Sequence, residues 1–157
     1  MASKTNAVRL VQQAGFSCQE VFYEYDENDL NGMHAAEALG RDPEEVFKTL
    51  VARGGKTGIN VFCIPVCCEL DLKKAAKAAG DKNMELIPVK ELLGLTGYIR
   101  GGCSPVGMKK KYPTYFDETC ELYDTIAVSA GERGNQMVLP PMALAELVEA
   151  TLADLTV

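Results

Sequence analysis

The sequence predicts one compact α/β domain with a mixed sheet, and three features support this prediction. Its 157 residues are 47% hydrophobic and 24% charged, which is the size and balance of a single globular domain. Segments with apolar residues at helical spacing alternate with short apolar or alternating segments of strand length. Glycine and proline separate these segments, and we find no repeat, linker or low-complexity tract.

The first half of the chain contains predicted helices over residues 4–14 and 33–40, each with an apolar stripe and a glycine at its end. Asp42 and Pro43 supply the N-cap and the first residue of a further helical start. The predicted strands are the alternating segment 18–26, the segment 46–52 and the apolar run 59–66. Such a continuous apolar run is typical of a central strand that is buried on both faces.

The second half begins with an amphipathic helix over residues 71–80, with Asp71 as its N-cap and a glycine at its end. Residues 84–89 predict a short strand, after which Pro88 opens a brief helix over 89–94. The remaining predicted elements are a hairpin of strands 124–131 and 136–141 and a C-terminal helix over 142–155.

No segment is typical of a membrane span or a signal peptide. The chain has no run of 18 apolar residues, and its N-terminus has no apolar region before a small-residue cleavage site. We therefore expect a cytoplasmic protein without a membrane partner.

Six cysteines raise the question of disulfides or a metal site. In a cytosolic chain of this size they are expected to be reduced thiols. Cys63, Cys67 and Cys68 have a C-x3-C-C spacing, unlike the paired C-x2-C knuckles of structural zinc sites. We expect no metal and no cofactor.

The charge is negative overall but unevenly distributed. A net charge of −6 and a pI near 4.9 argue against broad coating of nucleic acid and against a DNA partner. Residues 20–29 hold five acidic side chains and no base, whereas residues 98–112 hold four bases and no acid, and residues 70–82 add four lysines. The two basic segments are either solvated faces or contacts for one polyanionic ligand.

Lys48 shares one face of an extended "VFKTL" with Val46 and Leu50, so its stem would lie on an apolar surface. Such a lysine either extends to the rim of the surface or presents its charge to a ligand in a pocket. The residues alone leave both roles open.

The segment "GGCSPVG" holds two candidate nucleophiles, Cys103 and Ser104. A cysteine nucleophile needs a base, and His34 is the one histidine of the chain. Cys103 and His34 would form such a pair if the fold brings them together. For Ser104, the segment is not the G-x-S-x-G nucleophile elbow. The backbone of Gly101 and Gly102 is the other candidate, because consecutive N–H groups can bind an anion or a carbonyl oxygen.

Four segments, "VFKTL", "LDLKKAAKAAG", "TGYIRGGCSPVGMKKKYPTYFDE" and "TIAVSAGERG", occur in this order. Together, from Val8 to Leu147, they resemble the YbaK/EbsC family of trans-editing proteins, the Cys-tRNA(Pro) deacylases. The Gly-Tyr-x-x-Gly-Gly-x-Ser-Pro-x-Gly block over 97–107 is the most specific part. The resemblance implies a mixed, mostly antiparallel, barrel-like sheet surrounded by helices, with residues 1–157 as one editing domain.

The resemblance also implies an activity. Prolyl-tRNA synthetase discriminates poorly against cysteine because the side chains are close in size, and editing compensates for this. Proteins of this family clear cysteine from tRNA(Pro), and from tRNA(Cys) when they act without the synthetase. The thiol of the substrate is thought to attack its own ester, releasing a thiolactone and free tRNA. Cysteine-charged tRNA(Pro) and prolyl-tRNA synthetase are therefore the expected partners.

Several residues match functional positions of the family. Lys48 corresponds to the lysine on which activity depends, and Tyr23 matches a tyrosine that lines the pocket. The N–H groups of Gly101 and Gly102 would orient the ester carbonyl and stabilise its oxyanion.

Ser104 and Pro105 would shape the glycine loop. Gln136 is a departure, because some relatives carry an aspartate there, so amino-acid specificity could differ in this chain. Gln136 still matches a position beside the pocket.

The resemblance implies a role in tRNA binding for the basic segments. Acceptor-stem phosphates are plausible partners of five lysines: Lys73, Lys74, Lys109, Lys110 and Lys111. RNA ends are read mainly by stacking and 2′-hydroxyl contacts, so Tyr23 or Tyr98 is a candidate to stack the terminal adenine.

Three alternatives remain at this point. A related protein could edit alanine or serine through an activated water or a 2′-hydroxyl, with His34 as a candidate polar group. A non-catalytic module could bind aminoacyl-tRNA or the synthetase. A cysteine hydrolase could be built on Cys103, and that version predicts that Cys103→Ala loses activity.

Overall fold

The computed structural model describes residues 4–157 and contains, within them, five α-helices and eight strands. The helices are α1 (Asn6–Gln13), α2 (Gly32–Leu39), α3 (Leu72–Ala79), α4 (Val89–Thr96) and α5 (Pro141–Val148). The strands are β1 (Gln19–Phe22), β2 (Phe47–Gly54), β3 (Gly58–Pro65), β4 (Glu85–Leu86), β5 (Thr114–Asp117), β6 (Ile126–Glu132), β7 (Asn135–Leu139) and β8 (Thr151–Ala153).

The strands form two sheets. One has the order β1-β7-β6 and is antiparallel, and the other has the order β4-β2-β3-β5-β8, with parallel pairing from β3 to β8. An isolated parallel bridge between Val46 and Ala127 links β2 to β6. The predicted mixed α/β fold is confirmed, although the strands do not close into a barrel because this link is a single bridge.

β3 separates two layers of the core, because successive side chains of a strand point to opposite faces. Cys63 packs with Phe116 and Ala7 in one cluster, whereas Phe62 packs with Ala75 of α3 in another. Phe62 and Phe116 are fully buried, and burying a side chain of this size contributes roughly 1.5–3 kcal/mol. The prediction that residues 59–66 form a central buried strand is confirmed.

The hairpin of β2 and β3 is fixed at its turn by a carboxylate from the α3–β4 connection. Asp81 Oδ2 accepts hydrogen bonds from the N–H groups of Lys56 (3.0 Å) and Thr57 (2.7 Å) and from the Thr57 hydroxyl (2.7 Å). These donors hold the pKa of Asp81 well below its usual range. The turn and α3 are thereby joined.

The helix ends follow the sequence signals. The Asp71 carboxylate accepts from the N–H groups of Lys73 and Lys74 at the start of α3, and Gly80 ends it with a φ of +71°. Asp42 caps a single 3-10 turn over Pro43–Glu45 rather than a full helix. Each α-helix spans eight residues, and within residues 4–157 none is long and apolar enough to cross a bilayer.

The C-terminal prediction is wrong in part. α5 ends at Val148 instead of continuing to 155, because Glu149 takes a left-handed conformation and the Ala150 N–H returns to the Ala145 carbonyl. The chain then adds β8 to the sheet and buries Leu155. The predicted strand over 84–89 shortens to β4, and the structure adds β5 and a 3-10 helix over Glu118–Leu122, for which no element was predicted.

Candidate functional site

A cavity of about 490 Å³ opens between β2, the chain before α2 and the glycine loop. Four residues of the predicted site line it: Tyr23, Lys48, Gly101 and Gln136. They are spread over more than a hundred positions of the sequence, and the fold brings them to one concave surface. The volume lies in the range of about 300–1,000 Å³ that is typical of small-ligand sites.

The chain before α2 reaches the cavity because α2 begins directly against the end of β3. A methyl group added at Gly32 would lie 2.6 Å from Val66 Cγ1, so no larger residue fits. The Val66 N–H donates to the Val46 carbonyl over 2.8 Å, which ties this contact to the start of β2. His34 of α2 and Lys48 of β2 both line the cavity.

Lys48 lies near the start of β2, opposite Ile64 of β3. Its side chain is half-buried, and no carboxylate of residues 4–157 forms an ion pair with it. Its positive charge is therefore available to a ligand in the cavity.

The glycine loop begins with a tight turn. The Gly102 N–H donates to the Ile99 carbonyl over 3.0 Å, and Gly101 adopts a φ of +85°, a conformation that favours glycine. A methyl group added at Gly102 would lie 3.1 Å from Arg133 N and from the Glu132 backbone. The turn between β6 and β7 thus packs directly on Gly102, while Gly101 faces the cavity.

Ser104 and Pro105 are buried in the loop and do not line the main cavity. Ser104 Oγ accepts from the Val106 N–H over 3.2 Å, and the Tyr98 hydroxyl donates to the Val106 carbonyl. Burial raises the pKa of Tyr98 to about 12. These groups hold the loop in shape, so Tyr98 is engaged within the loop rather than at the pocket surface.

Cys103 and His34 both line the cavity, but their surroundings do not activate the thiol. Burial raises the pKa of Cys103 to about 12, and a side-chain hydrogen bond with Thr96 offsets this only partly. His34 Nδ1 lies 3.7 Å from Asp29 Oδ2. Cys103 therefore stays a neutral thiol, a form that is a poor nucleophile.

Gln136 lies on β7 between Val21 of β1 and Ser129 of β6. Its side chain is buried, and no donor among residues 4–157 lies within hydrogen-bonding distance of its Oε1. Tyr23 directly follows β1 and is held by donation of its N–H to the Gly134 carbonyl over 2.9 Å. A ligand in the cavity can therefore meet one hydrogen-bond acceptor and one aromatic ring on this side.

The five predicted tRNA-binding lysines lie outside the lining of the main cavity. Lys74 is paired with Asp154 at 3.1 Å and Lys111 with Glu149. Lys110 and Lys111 instead line a second cavity of about 310 Å³, together with Pro105. Lys73, Lys109 and Lys110 are exposed and form no ion pair with the described residues.

All six cysteines have free thiols, and Cys67 Sγ and Cys68 Sγ lie 3.9 Å apart. Residues 4–157 contain no cluster of three or more histidine, cysteine or acidic side chains arranged to hold a metal ion.

Comparison with known proteins assigns the chain to a family. The model of the aminoacyl-tRNA editing domain family matches residues 33–147. The chain belongs to this family. The matched range includes Lys48, Gly101 and Gln136, whereas Tyr23 precedes it. The family resemblance read from the sequence is confirmed.

Two relatives with editing or synthetase names are similar in sequence. A candidate Cys-tRNA(Pro)/Cys-tRNA(Cys) deacylase of Enterococcus faecalis, EbsC, is 48% identical over 153 residues, which cover 98% of this chain and 93% of that protein. A proline–tRNA ligase of Shouchella clausii is 33% identical over 104 residues, which cover 66% of this chain and 18% of the ligase. The ligase is therefore matched over a small segment alone.

A solved structure agrees with the family assignment. A protein described as a candidate trans-editing enzyme for prolyl-tRNA synthetase superposes with a TM-score of 0.80, at 28% identity and with 99% of each chain covered. The aminoacyl-tRNA editing fold is thus shared along the whole described chain.

The cavity also contains residues that the sequence analysis did not select. Asp29, Arg100, Ser129 and Arg133 line it. Both arginines adjoin glycines in the sequence: Arg100 directly precedes Gly101, and Arg133 lies between the predicted hairpin strands 124–131 and 136–141, directly before Gly134. Charged residues beside glycines are therefore the signal that could have identified them. Asp29 and Ser129 carry no comparable signal.

Proposed function

We propose that this protein is a trans-editing aminoacyl-tRNA deacylase that removes cysteine from Cys-tRNA(Pro), and from Cys-tRNA(Cys) when it acts alone. The observation that carries the proposal is the meeting of Lys48, Tyr23, Gly101 and Gln136 in one cavity. The similarity to EbsC over 98% of the chain supports the same substrate. Residues 1–157 act as one editing domain, in the cytoplasm where tRNA is charged.

The cavity suits the end of a charged tRNA rather than its body. A volume of about 490 Å³ accommodates an aminoacyl-adenosine, which is a ligand of ordinary small-molecule size. The acceptor stem stays outside, where the exposed Lys73, Lys109 and Lys110 are candidates for its phosphates. Lys74 and Lys111 are weaker candidates, because each is already paired with a carboxylate.

In this reaction the enzyme positions the substrate and stabilises the developing negative charge, and it supplies no nucleophile of its own. The substrate thiol loses its proton as the sulfur forms a bond to the ester carbonyl carbon, and the carbonyl oxygen becomes an oxyanion. The carbonyl re-forms as the bond from that carbon to the ribose oxygen breaks, and the ribose oxygen gains one proton, which balances the proton lost by the thiol. The products are a four-membered thiolactone and the free ribose hydroxyl of the tRNA. Holding thiol and ester together supplies much of the rate enhancement.

Two groups of this chain act on the carbonyl. The Gly101 N–H is the donor for the oxyanion, because no acceptor among residues 4–157 is paired with it whereas the Gly102 N–H is bonded to Ile99. Lys48 holds the aminoacyl-adenosine end and adds positive charge near the developing oxyanion. Gly102 has no side chain, and this allows the β6–β7 turn to pack directly against the loop.

Gln136 and Tyr23 bind the rest of the amino acid and the terminal adenosine. Gln136 Oε1 has no protein donor in the described chain, so the substrate ammonium can donate to it. Tyr23 supplies a ring for stacking. Prolyl-tRNA synthetase is the partner that presents the tRNA, which removes the need for a strongly basic surface.

A second candidate is an editing enzyme for alanine or serine. His34 lines the same cavity and lies 3.7 Å from the Asp29 carboxylate, and such a pair can activate a water molecule. This version needs no thiol on the substrate.

Side-by-side deacylation of tRNA(Pro) charged with cysteine, alanine or serine tests the proposal. Loss of cysteine alone supports the thiol mechanism, and equal loss of alanine or serine supports the His34 version. If none is lost, with or without prolyl-tRNA synthetase, the protein is a binding module and the proposed function is wrong.

A further inference from the structure

Arg133 and Arg100 meet at one wall of the cavity. Arg133 Nε donates to the Arg100 carbonyl oxygen over 2.8 Å. A methyl group added at Gly101 would lie 3.5 Å from Arg133 Cγ, so the Arg133 stem lies along the glycine loop. One N–H therefore anchors the guanidinium, and its two terminal NH2 groups have no partner among residues 4–157.

The cavity lining carries more positively charged than negatively charged side chains. Of the four ion pairs of the described chain, one joins His34 and Asp29 of the cavity lining, and none includes Lys48, Arg100 or Arg133. Lys48, Arg100 and Arg133 face one acidic side chain of the lining, Asp29. In a protein of net charge −6, this local excess of positive charge favours an anionic ligand.

The geometry of the two arginines suits a phosphate. The planar guanidinium presents two parallel N–H groups to the oxygens of one phosphate, and its charge strengthens both hydrogen bonds. Arg133 is half-buried and fixed, whereas Arg100 is exposed and free to close over a ligand. Lys48 lies on β2 and Arg133 lies between β6 and β7, so these two cationic contacts come from different elements.

We propose that Arg133, assisted by Arg100, forms a phosphate subsite that binds the 5′-phosphate of the terminal adenosine of the tRNA. The proposal rests on the proposed function for the identity of the nucleotide. It makes Arg133 a determinant of how deeply the aminoacyl ester enters the cavity.

Calorimetric binding of adenosine 5′-monophosphate, adenosine and inorganic phosphate tests the subsite without any turnover. We expect the nucleotide to bind at least about fivefold more tightly than adenosine, because the charge-assisted contacts form only with the phosphate. Arg133→Gln and Arg100→Gln should each reduce this ratio, and Arg133→Gln should bring it close to one. Equal binding of nucleotide and adenosine by the unaltered protein, or phosphate binding as tight as that of the nucleotide, overturns the proposal.

Deacylation of Cys-tRNA(Pro) at several salt concentrations separates charge from loop positioning. Losing one phosphate contact should reduce the slope of log(kcat/KM) against log[KCl] by roughly 0.7–0.9 in Arg133→Gln. Arg133→Lys keeps the charge but loses the Nε–H that donates to the Arg100 carbonyl, so it should restore the slope. The exposed Arg9, outside the lining of both cavities, supplies the matched control Arg9→Gln, which should leave the slope unchanged.

The two possible failures are distinguishable. An unaltered slope in Arg133→Gln, with activity lost equally in Arg133→Gln and Arg133→Lys, would make Arg133 a positioning residue for the loop alone and would contradict the subsite. Absence of deacylation by the unaltered protein would contradict the proposed function, while the calorimetric comparison would still decide whether the subsite exists.

Discussion

The Gly102 N–H donates to the Ile99 carbonyl oxygen over 3.0 Å, and this hydrogen bond gives Gly101 and Gly102 different roles in the loop. It closes the turn that places Gly101, with a φ of +85°, at the cavity. Gly102 itself lies under the β6–β7 turn. Gly101 is therefore the candidate oxyanion donor, and Gly102 is the residue that permits close packing of the loop.

Alanine at Gly102 should impair catalysis through displacement of the loop. Its methyl group would lie 3.1 Å from three backbone atoms of Glu132 and Arg133, so the β6–β7 turn must shift. We expect kcat to fall at least about tenfold, or about 1.4 kcal/mol in activation free energy, with a lowered melting temperature. Gly94→Ala is the control, since no atom lies within 4 Å of its added methyl group. Unchanged kcat in Gly102→Ala would show that the packing is dispensable.

Lys48→Ala should abolish deacylation while the protein remains folded. The half-buried Lys48 has no ion pair with described residues, so its removal breaks no salt bridge. We expect kcat/KM for Cys-tRNA(Pro) to fall at least about 100-fold, which corresponds to about 2.7 kcal/mol. Circular dichroism and thermal melting check the fold, and Lys77→Ala on the exposed face of α3 is the control. A folded Lys48→Ala variant with normal turnover would remove this lysine from the mechanism.

Cys103→Ala should retain activity within about twofold. Burial raises the pKa of this thiol to about 12, so it is neutral at every pH below that value and supplies no thiolate. Removing the buried sulfur should cost about 1 kcal/mol of unfolding free energy, as for a deleted methylene. The pH profile of kcat/KM should be the same in both proteins. A lost inflection or a large loss of turnover in the variant would instead favour the cysteine hydrolase.

Gln136→Leu should weaken substrate binding more than it slows the chemical step. The buried Oε1 has no donor among residues 4–157, so leucine removes a contact to the ligand without breaking a protein hydrogen bond. We expect KM to rise about tenfold, the value of one hydrogen bond to a charged group, with the melting temperature unchanged or raised. Gln136→Asp, the residue of some relatives, should keep the acceptor and the low KM. Unchanged KM in Gln136→Leu would place the substrate ammonium elsewhere.

Asp81→Asn should destabilise the protein in a pH-dependent way. The N–H groups of Lys56 and Thr57 hold the pKa of Asp81 well below the ordinary 3.8. A depressed carboxyl pKa contributes stability that is fully present above the unfolded value and is lost as the pH falls through the folded one. Urea midpoints should therefore differ between the two proteins above pH 3.8, and the difference should shrink as the pH falls from 3.8 toward the lower pKa of the folded state. A constant difference would assign the effect to shape rather than charge.

The sequence predicted those elements whose ends or burial depend on neighbouring residues in the chain. Asp71 and Gly80 mark the ends of α3 because cap and stop act through adjacent backbone groups. The apolar run of β3 reports burial on both faces. β8 was missed because its pairing with β5 depends on residues more than thirty positions away, and the helical pattern of 142–155 gives no sign of the left-handed Glu149.

Several residues of the candidate site were predictable from the sequence, whereas the contacts between them were not. Lys48, Tyr23, Gly101 and Gln136 were found through the family resemblance, and the fold brings them to one cavity. The hydrogen bond from the Gly102 N–H to the Ile99 carbonyl depends on a turn geometry that the sequence "IRGG" allows but does not determine. The contact from Arg133 to Arg100 joins residues 33 positions apart, so no local pattern predicts it.

The most direct test of the central claim compares tRNA(Pro) charged with cysteine and with S-methylcysteine. The methyl group blocks the thiol while leaving the ester and the tRNA unchanged. The account predicts rapid release of cysteine, recovery of the thiolactone or its hydrolysis product, and retention of S-methylcysteine. Release of both amino acids at similar rates would contradict substrate-thiol attack and would assign the chemistry to a water molecule activated in the cavity.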